Sequence, residues 1–100
     1  MDINKELSYE IQYTKTAEKF FRSHEAVRTE YCDAIRELIV GEHPEKVDIK
    51  RIQGKDNVYY RIRLGRWRVI YTVIDGNILV IKTVLAGSEG TYIKKIDGLK

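Results

Sequence analysis

The sequence predicts an α+β domain in which two N-terminal helices pack on a twisted, mostly antiparallel sheet. Three observations support this fold class. An alternating segment opens the chain, helical periodicity follows it, and alternating segments fill most of residues 47–85. The predicted order of elements is therefore β-α-α-β-β-β-β. With 100 residues and 43% hydrophobic content, we expect one globular domain spanning 1–100.

The N-terminal segment predicts a strand followed by a short helix. Residues 9–13 alternate between apolar and polar side chains, which is typical of a strand with one buried face. Either Thr14 or Thr16 can begin the helix, because a threonine hydroxyl accepts a backbone N–H that the first helical turn leaves unpaired. We expect the apolar residues within 17–21 to form the buried stripe of this helix.

A second, longer helix is predicted from Glu25 onwards. Its apolar residues recur at the three- and four-residue steps of an amphipathic helix. They are Val27, Tyr31, Ala34, Ile35, Leu38 and Ile39. Gly41 and Pro44 end the helix. Cys32 lies beside the apolar stripe, and we interpret this single cysteine as a packing residue rather than a nucleophile.

Residues 47–85 predict four further strands. The first covers Val47–Gln53, and a GKDN loop follows it. The last two cover Val69–Ile74 and Ile78–Leu85, and the Asp-Gly-Asn sequence between them is a strong hairpin signal. A glycine-containing loop then leads to a short terminal helix that carries Tyr92. On its own, this tyrosine is best interpreted as a packing residue for the tail.

The segment VYYRIRLGRWRVIY, residues 58–71, places four arginines among apolar and aromatic residues. Because side chains alternate across a strand, Arg61 and Arg63 share one face and the apolar residues between them share the other. After the glycine turn, a second strand adds Arg66 and Arg68. We therefore predict a hairpin with one buried face and one cationic face suited to phosphate.

Charge is distributed unevenly along the chain, whose formal net charge is +3. Residues 1–45 carry six basic and ten acidic groups, whereas residues 46–68 carry eight basic groups against two aspartates. A concentrated basic segment favours a local site for a polyanion. The alternative, a solvated sheet face with no ligand, remains open from spacing alone.

Several classes of protein are excluded by composition. No run approaches the roughly 20 apolar residues of a membrane span, and the first residues contain no apolar core of an export signal. A single cysteine and two separated histidines, His24 and His43, provide no metal-binding spacing. We therefore expect a cytoplasmic protein that requires no cofactor and no membrane.

These motifs resemble the RelE/ParE toxins of bacterial toxin–antitoxin systems. The likeness covers nearly the whole chain: a first strand followed by AEKFF, the long second helix, KRIQG, YYRIRLGRWRVIY, a DG hairpin and a late tyrosine. The arginine hairpin is the most specific part. The resemblance implies the α+β fold described above and a small toxin that a separate antitoxin neutralises.

The resemblance implies one of two activities. RelE-like members cleave messenger RNA in the ribosomal decoding site, where the ribose 2′-hydroxyl attacks its adjacent phosphate. By motif position, the catalytic residues would be Arg61, Arg63, Arg68 and Tyr92. The residues expected to bind RNA are Lys50, Arg51, Lys55, Arg66, Lys94 and Lys95. ParE-like members instead poison DNA gyrase.

The sequence favours RNA cleavage without deciding between these activities. Arginine pairs bidentately with phosphate and stabilises charge, but it is a poor base. Tyr92 would act as a base only if neighbouring guanidinium groups lowered its pKa, and otherwise it would stack on a nucleobase. Many RNA-cleaving members have an arginine before this tyrosine, where residues 86–90 read AGSEG. A gyrase inhibitor and a non-toxic binding module therefore remain alternatives.

Overall fold

The computed structural model describes residues 9–98, so the predicted domain span of 1–100 extends beyond the described residues at both ends. The elements are β1 (Ile11–Tyr13), α1 (Lys15–Arg22), α2 (Glu25–Val40), a 3₁₀ turn (Pro44–Lys46), β2 (Ile49–Gln53), β3 (Val58–Leu64), β4 (Trp67–Ile74), β5 (Asn77–Leu85) and α3 (Glu89–Gly98). The predicted α+β order is confirmed. No helix within the described residues is long and apolar enough to cross a membrane.

The five strands form one sheet in the order β1-β5-β4-β3-β2. β1 pairs in parallel with β5, and the other pairs are antiparallel, as predicted for a mostly antiparallel sheet. β1 and β2 lie at opposite edges because α1 and α2 carry the chain across one face between them. β2 starts at Ile49 rather than at the predicted Val47, since the Val47 N–H still donates to Pro44 O of the 3₁₀ turn at 3.1 Å.

Two tight turns fix the hairpins of the sheet. Gly65 has φ 62° at the first position of the β3–β4 turn, a backbone conformation that glycine adopts without a steric penalty. In the β4–β5 turn, Asp75 and Gly76 have φ 52° and 81°. Positive φ at both central positions is the pattern of a type I′ turn, which matches the right-handed twist of the flanking strands. The Asp-Gly hairpin predicted from sequence is confirmed.

The main core lies between the helices α1 and α2 and the sheet. Thr14 caps α1, as one of the two predicted candidates, because its hydroxyl oxygen accepts the Ala17 N–H at 3.1 Å. The buried residues of this core are Ala17, Phe21, Tyr31, Ile35, Ile62, Val69, Tyr71, Ile78 and Val80. They come from both helices and three strands, so burial of this cluster fixes the helices on the sheet.

A second core forms on the opposite face of the sheet. There α3 covers part of the face that carries Arg61, and Ile93 is buried against Tyr59, Ile70 and Val84. The face that the sequence predicts to be cationic is therefore partly apolar and partly covered by α3. The physical reason is that Tyr59 and Ile70 share the face with Arg61, and they gain more from burial under a helix than from exposure to water.

Tyr31 provides a test of the main core. Its ring is fully buried, burial raises the pKa of its hydroxyl above the ordinary value, and no hydrogen-bond partner for that hydroxyl lies among the described residues. A buried polar group without a partner carries a desolvation cost. We therefore expect Tyr31→Phe to leave the free energy of unfolding unchanged or to raise it by about 1 kcal/mol, measured by urea denaturation. A loss of stability would contradict this expectation and reveal a partner for the hydroxyl.

Candidate functional site

The strand register brings basic side chains from four strands to one face of the sheet. Arg61 lies opposite Lys50 of β2, and Arg63 lies opposite Arg68 of β4. Lys82 of β5 occupies the same cross-strand row as Arg61. Directly opposed residues point to the same side. We call this surface the basic face; it consists of Lys50, Arg61, Arg63, Arg68 and Lys82.

Two guanidinium groups of the basic face share one carboxylate. Nη1 of Arg61 donates to Oδ1 of Asp48 at 2.9 Å, and Nη1 of Arg63 lies 3.6 Å from Oδ2. The Arg61 side chain is 15% exposed, whereas Arg63 and Asp48 are 57% and 49% exposed. Arg61 and Arg63 are therefore arranged so that one anion can contact both of them from the solvent side.

Arg68 stabilises the turn at the end of the basic face. Its Nη1 donates to the carbonyl oxygens of Gly65 at 2.7 Å and Trp67 at 3.0 Å. Opposite Arg63 across the β3–β4 pair, it contributes a third guanidinium group to the same end of the sheet. The structure thus places Arg61, Arg63 and Arg68 on one face of the sheet.

Tyr92 lies on the same side of the sheet, at the start of α3. Its backbone N–H donates to Ser88 O at 3.0 Å, and its ring packs against the second core. The Nζ atom of Lys82 lies 4.9 Å from the ring centroid, a cation–π contact. Lys82 and Arg61 lie on β5 and β3, which are two strands apart in the sheet. Because neighbouring strands are about 4.8 Å apart, their backbones are about 10 Å apart.

A groove lies between α3 and the loop that joins β2 to β3. It has a volume of about 780 Å³. Its lining residues are Ile52, Gln53, Gly54, Lys55, Gly90, Thr91, Ile93 and Lys94. Two of the six residues predicted to bind RNA, Lys55 and Lys94, therefore line one groove, and Ile52 of the same groove is on the same face of β2 as Lys50.

Of the other four predicted RNA contacts, Lys50 is on the basic face and three lie elsewhere. Arg51 is opposite Tyr60 on the helix-bearing face of the sheet, where its Nη2 donates to Gln53 Oε1 at 3.2 Å. The guanidinium carbon of Arg66 lies 4.9 Å from the centroid of the Trp67 ring, in a cation–π contact at the turn. Lys95 is exposed on α3. The structure does not gather these three side chains with Arg61.

Sequence reasoning missed two residues of the site, Asp48 and Lys82. Lys82 is the one charged residue in the apolar strand β5, and this isolated charge was an available signal. Asp48 stands two positions before Lys50 in a segment that the sequence showed to be basic overall. Within residues 9–98, no group of three or more His, Cys, Asp or Glu side chains is placed to hold a metal ion.

Comparison with known proteins identifies the family. The model of the ParE toxin of type II toxin–antitoxin systems matches residues 11–90, which contain the helices α1 and α2, the whole sheet and the basic face. The chain belongs to this toxin family. The match includes the arginine hairpin, on which the resemblance seen in the sequence mainly rested. The family assignment from sequence is therefore confirmed.

Relatives of this ParE-family toxin carry RelE names. A candidate toxin named RelE1 from Methanocaldococcus jannaschii is 47% identical over 49 residues, 48% of this chain and 52% of that protein. The chain thus matches about half the length of this curated relative. Two solved structures are also similar, both of RelE–RelB complexes. The complex from Pyrococcus horikoshii OT3 has a TM-score of 0.59 and 31% identity, covering 79% of this chain and 96% of the other.

The second solved structure, a RelB–RelE antitoxin–toxin complex from Methanococcus jannaschii, has a TM-score of 0.51 and 27% identity. The match covers 81% of this chain and 96% of the other. The fold of this toxin is therefore shared with archaeal RelE proteins, while its family model is that of ParE.

Partial burial of Tyr92 favours the protonated form of its hydroxyl. Desolvation raises its pKa above the ordinary value of about 10, so the hydroxyl keeps its proton at neutral pH. This direction is opposite to the shift that a tyrosine base requires. Tyr92 is therefore a neutral phenol at neutral pH, which can donate a hydrogen bond or stack on a base.

This leads to a prediction for the pH dependence of any RNA cleavage by the toxin. The profile between about pH 6 and pH 9 should keep the same slope in Tyr92→Phe, because no ionisation of Tyr92 occurs there. Tyr92→Ala should lose more activity than Tyr92→Phe, since the ring packs against the second core. Rates measured across this range would contradict the prediction if a rise with pH disappeared in Tyr92→Phe.

Proposed function

We propose that this toxin cleaves messenger RNA on the ribosome. The proposal is carried by one observation: Arg61 and Arg63 contact a single carboxylate from two sides, with Arg68 opposite Arg63. A phosphate undergoing attack by the ribose 2′-hydroxyl gains negative charge, and fixed guanidinium groups stabilise it. Arginine provides this stabilisation at any physiological pH because it does not deprotonate.

The roles follow from position and protonation. Arg61 and Arg63 contact the scissile phosphate, and Arg68 supports the same end of the sheet. Tyr92 keeps its proton, so it stacks on a nucleobase or donates a proton to the leaving oxygen. The groove that Lys55 and Lys94 line would then take the adjoining single strand, since lysines along a groove neutralise a phosphate backbone.

A cognate antitoxin is the proposed protein partner. Both solved structures similar to this chain contain RelE together with RelB. β2 lies at an edge of the sheet and carries Lys50 and Arg51. An extended acidic segment can add a strand to such an edge through backbone hydrogen bonds while it neutralises the adjacent charge. We propose the cytoplasm as the site of action, because ribosomes and nascent messages are there.

Induced expression in a bacterial host tests the proposed activity. Growth arrest should be accompanied by new messenger RNA ends within translated regions, while chromosomal DNA stays intact. Arg68→Ala is expected to relieve the arrest, which would exclude a non-toxic binding module. Intact transcripts in arrested cells would overturn the proposal. A neighbouring gene for a small protein with an acidic tail would support the partner assignment.

Inhibition of DNA gyrase is the second candidate function. It is favoured by the matching family model, which is that of the ParE toxin, and by the absence of arginine from residues 86–90. This function predicts DNA breaks and induction of the DNA-damage response with transcripts left intact. A gyrase mutant would then resist the toxin, whereas resistance would not follow if the target were ribosome-bound RNA.

A further inference from the structure

Asp48 lies where an anionic ligand of the basic face would be expected. Its two carboxylate oxygens lie 2.9 Å from Nη1 of Arg61 and 3.6 Å from Nη1 of Arg63. A carboxylate and a phosphate both present paired oxygens to guanidinium groups, and arginine binds the two in the same bidentate manner. A phosphate that contacts both arginines must therefore take the place of this side chain or lie directly against it.

The backbone and the side chain of Asp48 make independent contacts. The backbone carbonyl of Asp48 accepts the Arg63 N–H at 2.9 Å, and this bond extends the β2–β3 pairing whatever the side chain does. The carboxylate, in contrast, is half exposed and contacts a half-exposed Arg63. The pair with Arg63 is exposed enough to contribute little to stability. The pair with Arg61 is closer and less exposed, and a phosphate that takes the place of the carboxylate keeps that guanidinium group paired.

We propose that Asp48 is an internal competitor for the phosphate position between Arg61 and Arg63, and that RNA binding displaces its carboxylate. The inference rests on the proposed function only in taking RNA as the source of the phosphate. The consequence is a basic face whose resting affinity for free polyanions is low. A strand that also occupies the adjoining groove at Lys55 and Lys94 supplies the further contacts needed to displace the carboxylate.

Equilibrium binding of a short RNA that cannot be cleaved measures this competition. The probe is a fluorescent 2′-O-methyl hexanucleotide, which lacks the attacking hydroxyl, so that cleavage does not affect the titration. Asp48→Asn keeps the shape of the side chain and removes its charge. We expect it to bind about tenfold tighter than the natural chain, because a negative charge within a few ångströms of the phosphate is lost. Asp48→Ser should show the same direction.

Glu18→Gln is the matched control. It removes one acidic charge from an exposed position of α1, which packs over β5 and β1 on the helix-bearing face, so the sheet separates it from the basic face and from the groove. Its affinity should therefore remain within about twofold of the natural chain. Thermal denaturation monitors folding of each variant.

A double-mutant cycle tests whether the tighter RNA binding of Asp48→Asn depends on Arg61 and Arg63. With both Arg61 and Arg63 replaced by glutamine, Asp48→Asn should change the affinity by less than about threefold. Unchanged or weaker binding by Asp48→Asn in the natural background overturns the inference and makes Asp48 a positioning residue. Tighter binding together with intact cellular transcripts upholds the competition and overturns the proposed RNA cleavage, so the two failures are distinguishable.

Discussion

Arg61→Gln is expected to lower the rate of message cleavage by about 100- to 1000-fold, the loss typical when one preorganised charge is removed from a transition state. Arg61 is the least exposed member of the contact with Asp48, and its position is therefore the best defined. Low exposure also strengthens its interaction with a bound phosphate, because less water screens the charge. In cells, the variant should permit growth when it is expressed.

Arg51→Gln is the matched control for this prediction. Arg51 is next to Lys50, which lies directly opposite Arg61, but it points to the helix-bearing face of the same sheet. The two substitutions remove the same charge from neighbouring strands, and only one removes it from the basic face. Arg51→Gln should therefore keep cleavage within about threefold of the natural chain. Equal loss in both variants would show that overall charge, rather than a placed guanidinium, determines activity.

The same pair of variants separates the two candidate functions. If the toxin acts on gyrase by binding alone, Arg61→Gln affects growth only through lost contacts with that protein. Purified toxin with translating ribosomes then produces no new RNA ends in either variant. If it cleaves RNA, the natural chain and Arg51→Gln produce such ends and Arg61→Gln does not. Thermal denaturation must show that Arg61→Gln remains folded, because Arg61 is only 15% exposed.

The alternation of residues 58–71 was sufficient to predict that Arg61, Arg63 and Arg68 share one face. Strand alternation has a period of two, and it needs no knowledge of the rest of the fold. The contact with Asp48 could not be predicted in the same way. It depends on the register between β2 and β3, which the intervening loop and the packing of Ile49 and Ile62 determine together.

Lys82 shows how a local irregularity of a strand changes the face that alternation would predict for a side chain. Counting in twos from the buried Ile78 and Val80 would place Lys82 in the main core. A register shift in the β4–β5 pair, between Ile70 and Tyr71, instead brings Lys82 opposite Ile70 on the basic face. Bulges of this kind insert one residue and reverse the alternation beyond it. The strand sequence contains no glycine that would have marked the position.

The position of α3 was likewise beyond the sequence pattern. A short terminal helix was expected, but its ten positions contain too few apolar residues to indicate which face is buried. Both faces of the sheet also carry apolar residues. Only the structure shows that Ile93 packs on Ile70 and Tyr59, next to the arginines. This placement matters for function because it brings Tyr92 to the edge of the basic face.

The largest effect on stability is expected from Ile62→Ala. Ile62 is fully buried between the sheet and the helices. Truncation of such a residue removes buried surface and leaves a cavity, which costs about 3 kcal/mol. For a domain of this size, that loss lowers Tm by roughly 15 °C. Trp67, the single tryptophan, contacts Phe20 of α1 at 4.8 Å between ring centroids, so its fluorescence reports unfolding of the main core.

Ile93→Ala makes a comparable truncation in the second core, with a different expected result. Ile93 is 2% exposed, but the four buried residues of its cluster hold only α3 to the sheet. A helix held by so small a cluster can detach while the rest of the fold persists. The urea midpoint of Trp67 fluorescence should therefore fall less than in Ile62→Ala. Hydrogen exchange at the amides of α3 should become faster, and RNA cleavage should fall because Tyr92 loses its position. Equal shifts of the Trp67 midpoint in the two variants would show instead that α3 unfolds together with the main core.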